Sequence, residues 1–191
     1  MIPTKLLFLA AVATNAAFGR DTRSIPTFER EHSPAVVAAD PEHDRLTAMV
    51  GTWDVEMTLW IRPGAPPLTV KAASIIRSLF DGLFIEERIE GAIGKTAFST
   101  LAWTGYNADS HQYEATRISS TNPNRIAEAG VWNEQAKQFE LKGTYLQAGE
   151  PWTQRTVIRQ SSADAMVATS YLSFGKIPEW KAVEIRYVRK K

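Results

Sequence analysis

The segment Thr52–Ile61, with the sequence TWDVEMTLWI, decides the fold of this 191-residue chain. Apolar residues stand at every second position from Trp53 to Ile61, and mostly polar residues lie between them. Successive side chains of a strand point to opposite faces, so this period of two predicts a half-buried strand. An alternating strand has an inside and an outside, and the rest of the chain repeats the pattern.

A short helix is predicted directly before that strand. Asp40 is a good N-cap, and Pro41 suits the first helical position. Leu46 and Val50 fall on one apolar stripe at helical spacing. Gly51 is predicted to end the helix as a C′ glycine.

After the strand at Trp53, nine further β-rich stretches follow, separated by short turn signals. Short connections favour antiparallel neighbours, and closure removes the two exposed edges of an open sheet. We therefore predict an all-β fold, a single closed antiparallel barrel of about ten strands with one short N-terminal capping helix. A sandwich of two sheets is the alternative. The nine stretches are Leu68–Leu79, Leu83–Glu90, Thr96–Tyr106, Gln112–Ser119, Arg125–Asn133, Gln138–Leu146, Trp152–Gln160, Ala165–Phe174 and Lys181–Arg189.

The two ends of this barrel are predicted to differ. In an up-and-down barrel every second connection lies at the same end. One set of connections is rich in Gly and Pro and is predicted to form a mouth of longer loops, as at Pro63–Pro67. The other set, such as Asn107–Ser110, is predicted to form a closed end under the helix. Closure would also bring Arg189 over Trp53 in a cation–π contact.

The first nineteen residues have the layout of a secretory signal peptide. Lys5 precedes an apolar run of eight residues, and small residues lead to a cut after Gly19, before Arg20. This predicts a periplasmic or secreted protein, with a buried N-terminal helix as the alternative. The run is too short to span a bilayer, and no other stretch approaches that length. Residues 20–39 are predicted to form an extended arm, and residues 40–191 the barrel domain.

Composition excludes several kinds of function. Lys5 is the only charge in residues 1–19, so the mature chain would carry 21 basic and 21 acidic residues, which argues against nucleic acid as a partner. Without cysteine there is no disulfide, thiolate nucleophile or zinc–thiolate site. His32, His43 and His111 do not have the spacing of metal ligands. We therefore predict no metal, no cofactor and no catalytic residue, and a polar turn at Asp109–His111.

Several motifs occur in a characteristic order and spacing along the chain. They are Pro41-Glu42-His43, Leu46, Val50–Val55, Trp60, Pro63–Pro67, Gly82-Leu83-Phe84, Gly105-Tyr106-Asn107, Gly130, Leu141-Lys142-Gly143 and Glu184–Lys190. Together they resemble a family of uncharacterised bacterial proteins, domain of unknown function 1579. The resemblance covers about residues 40–190, and it implies a lipocalin-like barrel with no established activity. The helix followed by Gly51-Thr52-Trp53 also looks like the opening of the lipocalins, which bind small apolar ligands.

The candidate binding residues are those predicted to face the lumen or the mouth. The period of two places Glu87 inside and Glu86 outside. An inward carboxylate needs a partner, and Arg117 and Arg155 are candidates to pair with it or to meet a ligand carboxylate. The predicted ligand-binding residues are Met57, Leu59, Trp60, Glu87, Phe98, Arg117, Trp152, Arg155 and Trp180.

Three functions remain open from the sequence. The first is binding of a small hydrophobic or amphipathic ligand in the lumen. The second is a non-catalytic protein-interaction module that uses the tryptophan-rich rim. The third is a barrel enzyme in which a lumenal Glu/Arg pair performs acid–base chemistry. The oligomeric state and the identity of any ligand do not follow from these patterns.

Overall fold

The computed structural model describes residues 40–191, in which ten antiparallel strands close into one barrel. Each strand pairs with its neighbours in sequence, and β1 pairs with β10. The predicted closed barrel is confirmed; the predicted leader (1–19) and arm (20–39) lie outside the described residues. The strands are β1 Gly51–Leu59, β2 Leu68–Leu79, β3 Phe84–Ile93, β4 Thr96–Asn107, β5 Gln112–Ser119, β6 Asn122–Asn133, β7 Gln138–Gln147, β8 Glu150–Ser162, β9 Ala165–Phe174 and β10 Ile177–Arg189.

One α-helix, α1 (Pro41–Thr47), precedes the barrel. The Asp40 side chain caps it by accepting a 2.9 Å hydrogen bond from the backbone N–H of Glu42. His43 and Leu46 are its buried residues. Between residues 40 and 191, no helix has the length and apolar character needed to cross a membrane.

Gly51 does not end the helix, contrary to the sequence prediction. The helix stops three to four residues earlier, and Gly51 is the first residue of β1 with a φ of +151°. A Cβ at this position would overlap the guanidinium of Arg189. Two features therefore favour glycine at this position: the positive φ, and the Arg189 guanidinium that hydrogen bonds hold over the backbone.

Hydrogen bonds and aromatic contacts hold α1 over the closed end. The Tyr113 hydroxyl on β5 donates to the Glu42 carboxylate at 2.6 Å. Arg45 forms an ion pair with Glu42 and lies 5.2 Å from the ring centroid of Trp132 on β6. The helix thus seals one end of the barrel, and these contacts tie it to β5 and β6.

The mouth differs from the prediction in the length of its loops. Only the connection over residues 60–67 is long, and the other four mouth connections are two-residue turns. Gly94, Gly149 and Gly175 supply the positive φ that such tight turns need. Three prolines predicted to lie in loops instead lie within strands, Pro123 in β6, Pro151 in β8 and Pro178 in β10. The strand register shifts near Pro123 and Pro178.

Arg189 joins three segments at the closed end. Its guanidinium lies 4.1 Å from the ring centroid of Trp53, as the sequence predicts. It donates to the carbonyls of Val50 at 2.6 Å, Ala48 at 3.0 Å and Ala163 at 2.8 Å. One side chain therefore ties the turn after α1, the start of β1 and the β8–β9 turn to the end of β10.

We expect Arg189→Met to lower the free energy of unfolding by about 2–4 kcal/mol, because it removes three charge-assisted hydrogen bonds and a cation–π contact. Urea denaturation followed by tryptophan fluorescence measures the change. Arg186→Met is the matched control, since Arg186 lies on the outer face of the same strand with 63% of its side chain exposed. Equal losses in the two variants would contradict the role given to Arg189.

Candidate functional site

The lower half of the barrel interior is filled with side chains. Leu46 and Trp53 have no exposed surface, and Tyr113 and Tyr187 are 1% and 3% exposed. The Trp53 indole N–H donates to the carbonyl of Met49 at 3.0 Å, so its polar atom is satisfied. What remains is a small space of about 50 Å³, here called the lower cavity.

The upper half of the interior holds a larger space of about 220 Å³ toward the mouth, here called the upper cavity. Its wall is mainly apolar. A cavity of about 150 Å³ holds a benzene molecule, so the upper cavity has room for a somewhat larger organic body. Its apolar lining includes Met57, Leu59, Phe98, Leu172 and Ile185.

Glu87 occupies the inner face of β3 at the level of the lower cavity. Its Oε1 accepts a 2.9 Å hydrogen bond from the Ser74 hydroxyl on β2. Burial raises the pKa of Tyr187 well above its usual value, and the negative charge of Glu87 raises it further while Arg117 opposes the rise. These interactions place a phenol and a carboxylate against each other inside the barrel.

Glu128 on β6 is a second carboxylate lining the lower cavity, and it is only 5% exposed. Its Oε2 accepts a 3.0 Å hydrogen bond from the Gln154 amide on β8. Gln154 also donates to Thr156 at 3.2 Å, and the hydroxyls of Thr156 and Ser170 lie 3.1 Å apart. The other oxygen, Glu128 Oε1, is buried and accepts no hydrogen bond from the described residues.

Arg117 on β5 is a positively charged side chain that points into the lumen. It lines both cavities, and its strand neighbours on the inner face are Ala102 and Ile126. Among residues 40–191, no carboxylate lies within 4.0 Å of its guanidinium. The two cavities are therefore lined by one positive and two negative side chains, Arg117, Glu87 and Glu128.

The register ladder between β6 and β7 ends beside Glu128. Their ladder has five pairs, from Asn133–Gln138 near the closed end to Ala129–Lys142. Toward the mouth from that last pair, no register pair joins the two strands in the described chain. The two backbones stay close beyond that pair, because a Cβ on Gly143 would overlap the carbonyl of Ala127. Glu128 directly follows the last pair on β6 and lines the lower cavity.

The structure brings together five of the nine predicted binding residues. Four of them, Met57, Leu59, Phe98 and Arg117, line the upper cavity. Glu87 lines the lower cavity, on the inner face where the period of two predicts it, while Glu86 faces outward and accepts from the Trp103 indole at 3.1 Å.

The three rim tryptophans lie beside the upper cavity and do not line it. Trp152 stacks on Phe174 with 4.0 Å between ring centroids, and Trp180 packs edge-on against Trp152 at 6.0 Å. Lys181 Nζ lies 4.3 Å from the centroid of Trp60. The Trp180 indole N–H donates to the backbone carbonyl of Trp60 at 3.3 Å, and all three tryptophans are half-buried.

Arg155 does not face the lumen, contrary to the prediction. It pairs in register with Lys142 and Tyr171 on the outer face of β8, while its neighbour Gln154 points inward. Its guanidinium forms hydrogen bonds of 2.6 and 3.0 Å with Glu179 and lies 4.2 Å from the Tyr171 ring centroid. The sequence TQRTVIR offers polar residues on both faces, so its period alone does not identify the inner one.

Sequence reasoning missed Glu128 and Gln154, the polar pair beside the lower cavity. Both lie in strands with polar residues on both faces, so alternation gives no inward signal. The pairing register identifies them. Glu128 pairs with Ala115, which lies two positions from the inward-facing Arg117 on β5, and Gln154 pairs with the inward-facing Leu172 on β9. Within residues 40–191, no group of three histidine, aspartate or glutamate side chains is arranged to hold a metal ion.

The fold and the lumen define a small closed β-barrel with an internal cavity that opens at one end. The chain belongs to the family described as Protein of unknown function (DUF1579), whose model matches residues 38–189. The resemblance drawn from the sequence motifs is thereby confirmed. No match was found among curated proteins.

Two solved structures share this fold at low sequence identity. The S-type phycobiliprotein lyase CPES from Guillardia theta is 14% identical, with a TM-score of 0.54, and the match covers 78% of this chain and 93% of that one. Rv2717c from M. tuberculosis is 10% identical, with a TM-score of 0.56, over 81% of this chain and 100% of that one. At such identities the likeness concerns the fold alone.

We expect Tyr187→Phe to reduce the loss of stability at alkaline pH. The folded protein holds the Tyr187 proton to a higher pH than the unfolded chain does, because its pKa is raised. Above the usual tyrosine pKa of about 10, unfolding therefore releases a proton and stability falls as pH rises. The fall from this one group approaches about 1.4 kcal/mol per pH unit.

Urea denaturation at pH 8, 10 and 11 measures this difference between the wild type and the variant. Tyr171→Phe is the control, since it removes a phenol from the outer face. Parallel pH profiles for the wild type and Tyr187→Phe would show that the buried phenol is not linked to stability in this way.

Proposed function

We propose that the protein binds a small amphipathic molecule in the lumen of the barrel. The observation that carries the proposal is the upper cavity of about 220 Å³, which has a mainly apolar wall and reaches the polar side chains of Arg117 and Gln154. An apolar ligand body would bury its surface against Leu59, Phe98 and Ile185, at about 25 cal/mol per Å² of apolar area. A polar head would lie at the inner end of this cavity, where Arg117 and Gln154 mark the change from apolar to polar lining.

The polar side chains at mid-height support an amphipathic ligand over a purely apolar one. Buried polar groups are unfavourable unless they are hydrogen-bonded, and a barrel that only needed a stable core would fill these positions with apolar residues. Instead, Glu87, Arg117 and Glu128 all line the lower cavity, and Arg117 also reaches the upper one. A ligand with one polar end would match this change in chemistry.

We also propose that this binding takes place in the periplasm or after secretion. The support is the leader-like pattern of residues 1–19, and proteolytic mapping of the N-terminus of the protein isolated from its host tests it. The two structural neighbours add support for the container shape and not for an activity. One of them is a lyase, and at 14% identity its reaction does not transfer to this chain.

Protein interaction through the rim is the second candidate. Ile61 and Leu146, both near the mouth, are 81% and 66% exposed, which is unusual for large apolar side chains. Against this, Trp152 and Trp180 pack against each other and so offer less free surface. The enzyme hypothesis has less support, because Glu87 is engaged by Ser74 and, within residues 40–191, forms no ion pair with Arg117.

We expect Leu172→Trp to weaken binding of the neutral dye N-phenyl-1-naphthylamine at least tenfold, because the larger ring fills the upper cavity. A titration followed by dye fluorescence measures this. Val157→Trp, which adds the same bulk to the outer face, is the matched control and should change the affinity less than twofold. Circular dichroism of both variants reports whether the barrel is retained.

The same titration separates the two candidates. A rim binder would keep its dye affinity in Leu172→Trp and lose it in Ile61→Ser. Failure of the wild type to bind the dye, together with the absence of any small molecule from native mass spectrometry of the freshly purified protein, would remove the support for a lumenal ligand.

A further inference from the structure

We infer that the head group of the lumenal ligand is an ammonium, bound by the free oxygen of Glu128, so that the ligand class is a primary amine on an apolar body. This inference rests on the proposed function and deepens it. It names the chemistry at the inner end of the cavity, which the apolar lining alone leaves open.

The first observation is the unsatisfied oxygen. Glu128 is only 5% exposed, and its Oε2 is fixed by Gln154 while its Oε1 has no partner among the described residues. A carboxylate oxygen is only an acceptor, so the group that satisfies it must be a donor. An ammonium offers three donors and forms a charge-assisted hydrogen bond, which is about twice as strong as a neutral one.

The second observation is the balance of charge. Glu87 and Glu128 contribute two negative charges to the cavity lining and Arg117 one positive charge. A cationic ligand would bring this total to zero, and an anionic one would raise it to two negative charges in a site of low dielectric. Arg117 alone would favour a carboxylate ligand, but the two carboxylates outweigh it.

The third observation is the fit. The lower cavity measures about 50 Å³ and is lined by Glu128. A cavity of about 10–15 Å³ is enough to hold one water molecule, and an ammonium is of similar size. Gln154, which donates to Glu128, also lines the upper cavity, and Arg117 lines both spaces. Because the two cavities adjoin at Arg117, a head group at Glu128 would direct the apolar body toward the upper cavity.

Three ligands with the same eight-carbon chain test the inference: octylamine, octan-1-ol and octanoate. Their dissociation constants are measured by displacement of N-phenyl-1-naphthylamine at pH 7, where the amine is protonated. We expect octylamine to bind at least tenfold more tightly than octan-1-ol, and octanoate to bind more weakly than octan-1-ol. In Glu128→Gln, which keeps the shape of the side chain, octylamine should fall to within threefold of octan-1-ol.

Two further variants make the test specific. Glu86→Gln makes the same change on the outer face of β3 and should leave the amine preference intact. Glu87→Gln removes the other lumenal carboxylate, whose Oε1 already accepts from Ser74. It should retain more of the preference than Glu128→Gln does, and an equal loss in both variants would overturn the assignment to Glu128.

The remaining outcomes separate this inference from the proposed function. Octan-1-ol could bind while octylamine binds no more tightly, as expected where a water molecule satisfies Oε1. In that case the assignment of an ammonium head group is wrong, and the proposed lumenal binding site is retained. If the dye binds the wild type and none of the three eight-carbon ligands displaces it, the amine is wrong as the ligand class. The proposal of a lumenal site for other molecules is then retained. If neither the dye nor any of the three binds, both proposals fail.

Discussion

Pairing of the first strand with the last is the constraint on which the rest of this structure depends. A ten-stranded open sheet would leave two rows of unpaired backbone N–H and C=O groups. The ladder between β1 and β10 pairs both rows, with Trp53 opposite Arg189 and Leu59 opposite Val183. Arg189 reinforces the closed end of that ladder, where its guanidinium donates to three carbonyls outside the strand ladders.

The two halves of the lumen differ in the kind of side chain that fills them. Large rings and the helix occupy the closed end, where Trp53, Tyr113 and Tyr187 are buried. Higher up, the lining is mostly aliphatic, as at Leu59 and Ile185, and it leaves the upper cavity open. The charged residues lie at the boundary between these two regions. An interior selected only for stability would have no reason to place two carboxylates there.

The sequence was sufficient to predict the closed barrel, the inward face of β1 and the contact between Arg189 and Trp53. These features follow from alternation and from chain order, which act locally or through topology alone. The same reasoning does not identify the orientation of Arg155 or Glu128. Each lies in a strand with polar residues on both faces, and only the register with the neighbouring strand decides which face is inside. The mouth loops were predicted too long for a related reason, because glycine and proline mark both turns and the irregular ends of strands.

In the described chain, every ladder except the one between β1 and β10 joins strands that are consecutive in sequence. A consecutive pair can form as soon as its hairpin exists, since little loop entropy is lost. The closing ladder instead joins residues from opposite ends of the barrel domain, so it waits until β10 has been synthesised. Until then the nascent protein exposes an unpaired strand edge on β1, and such edges promote aggregation. The pairing of β10 with β1 is therefore the step that ends this exposure.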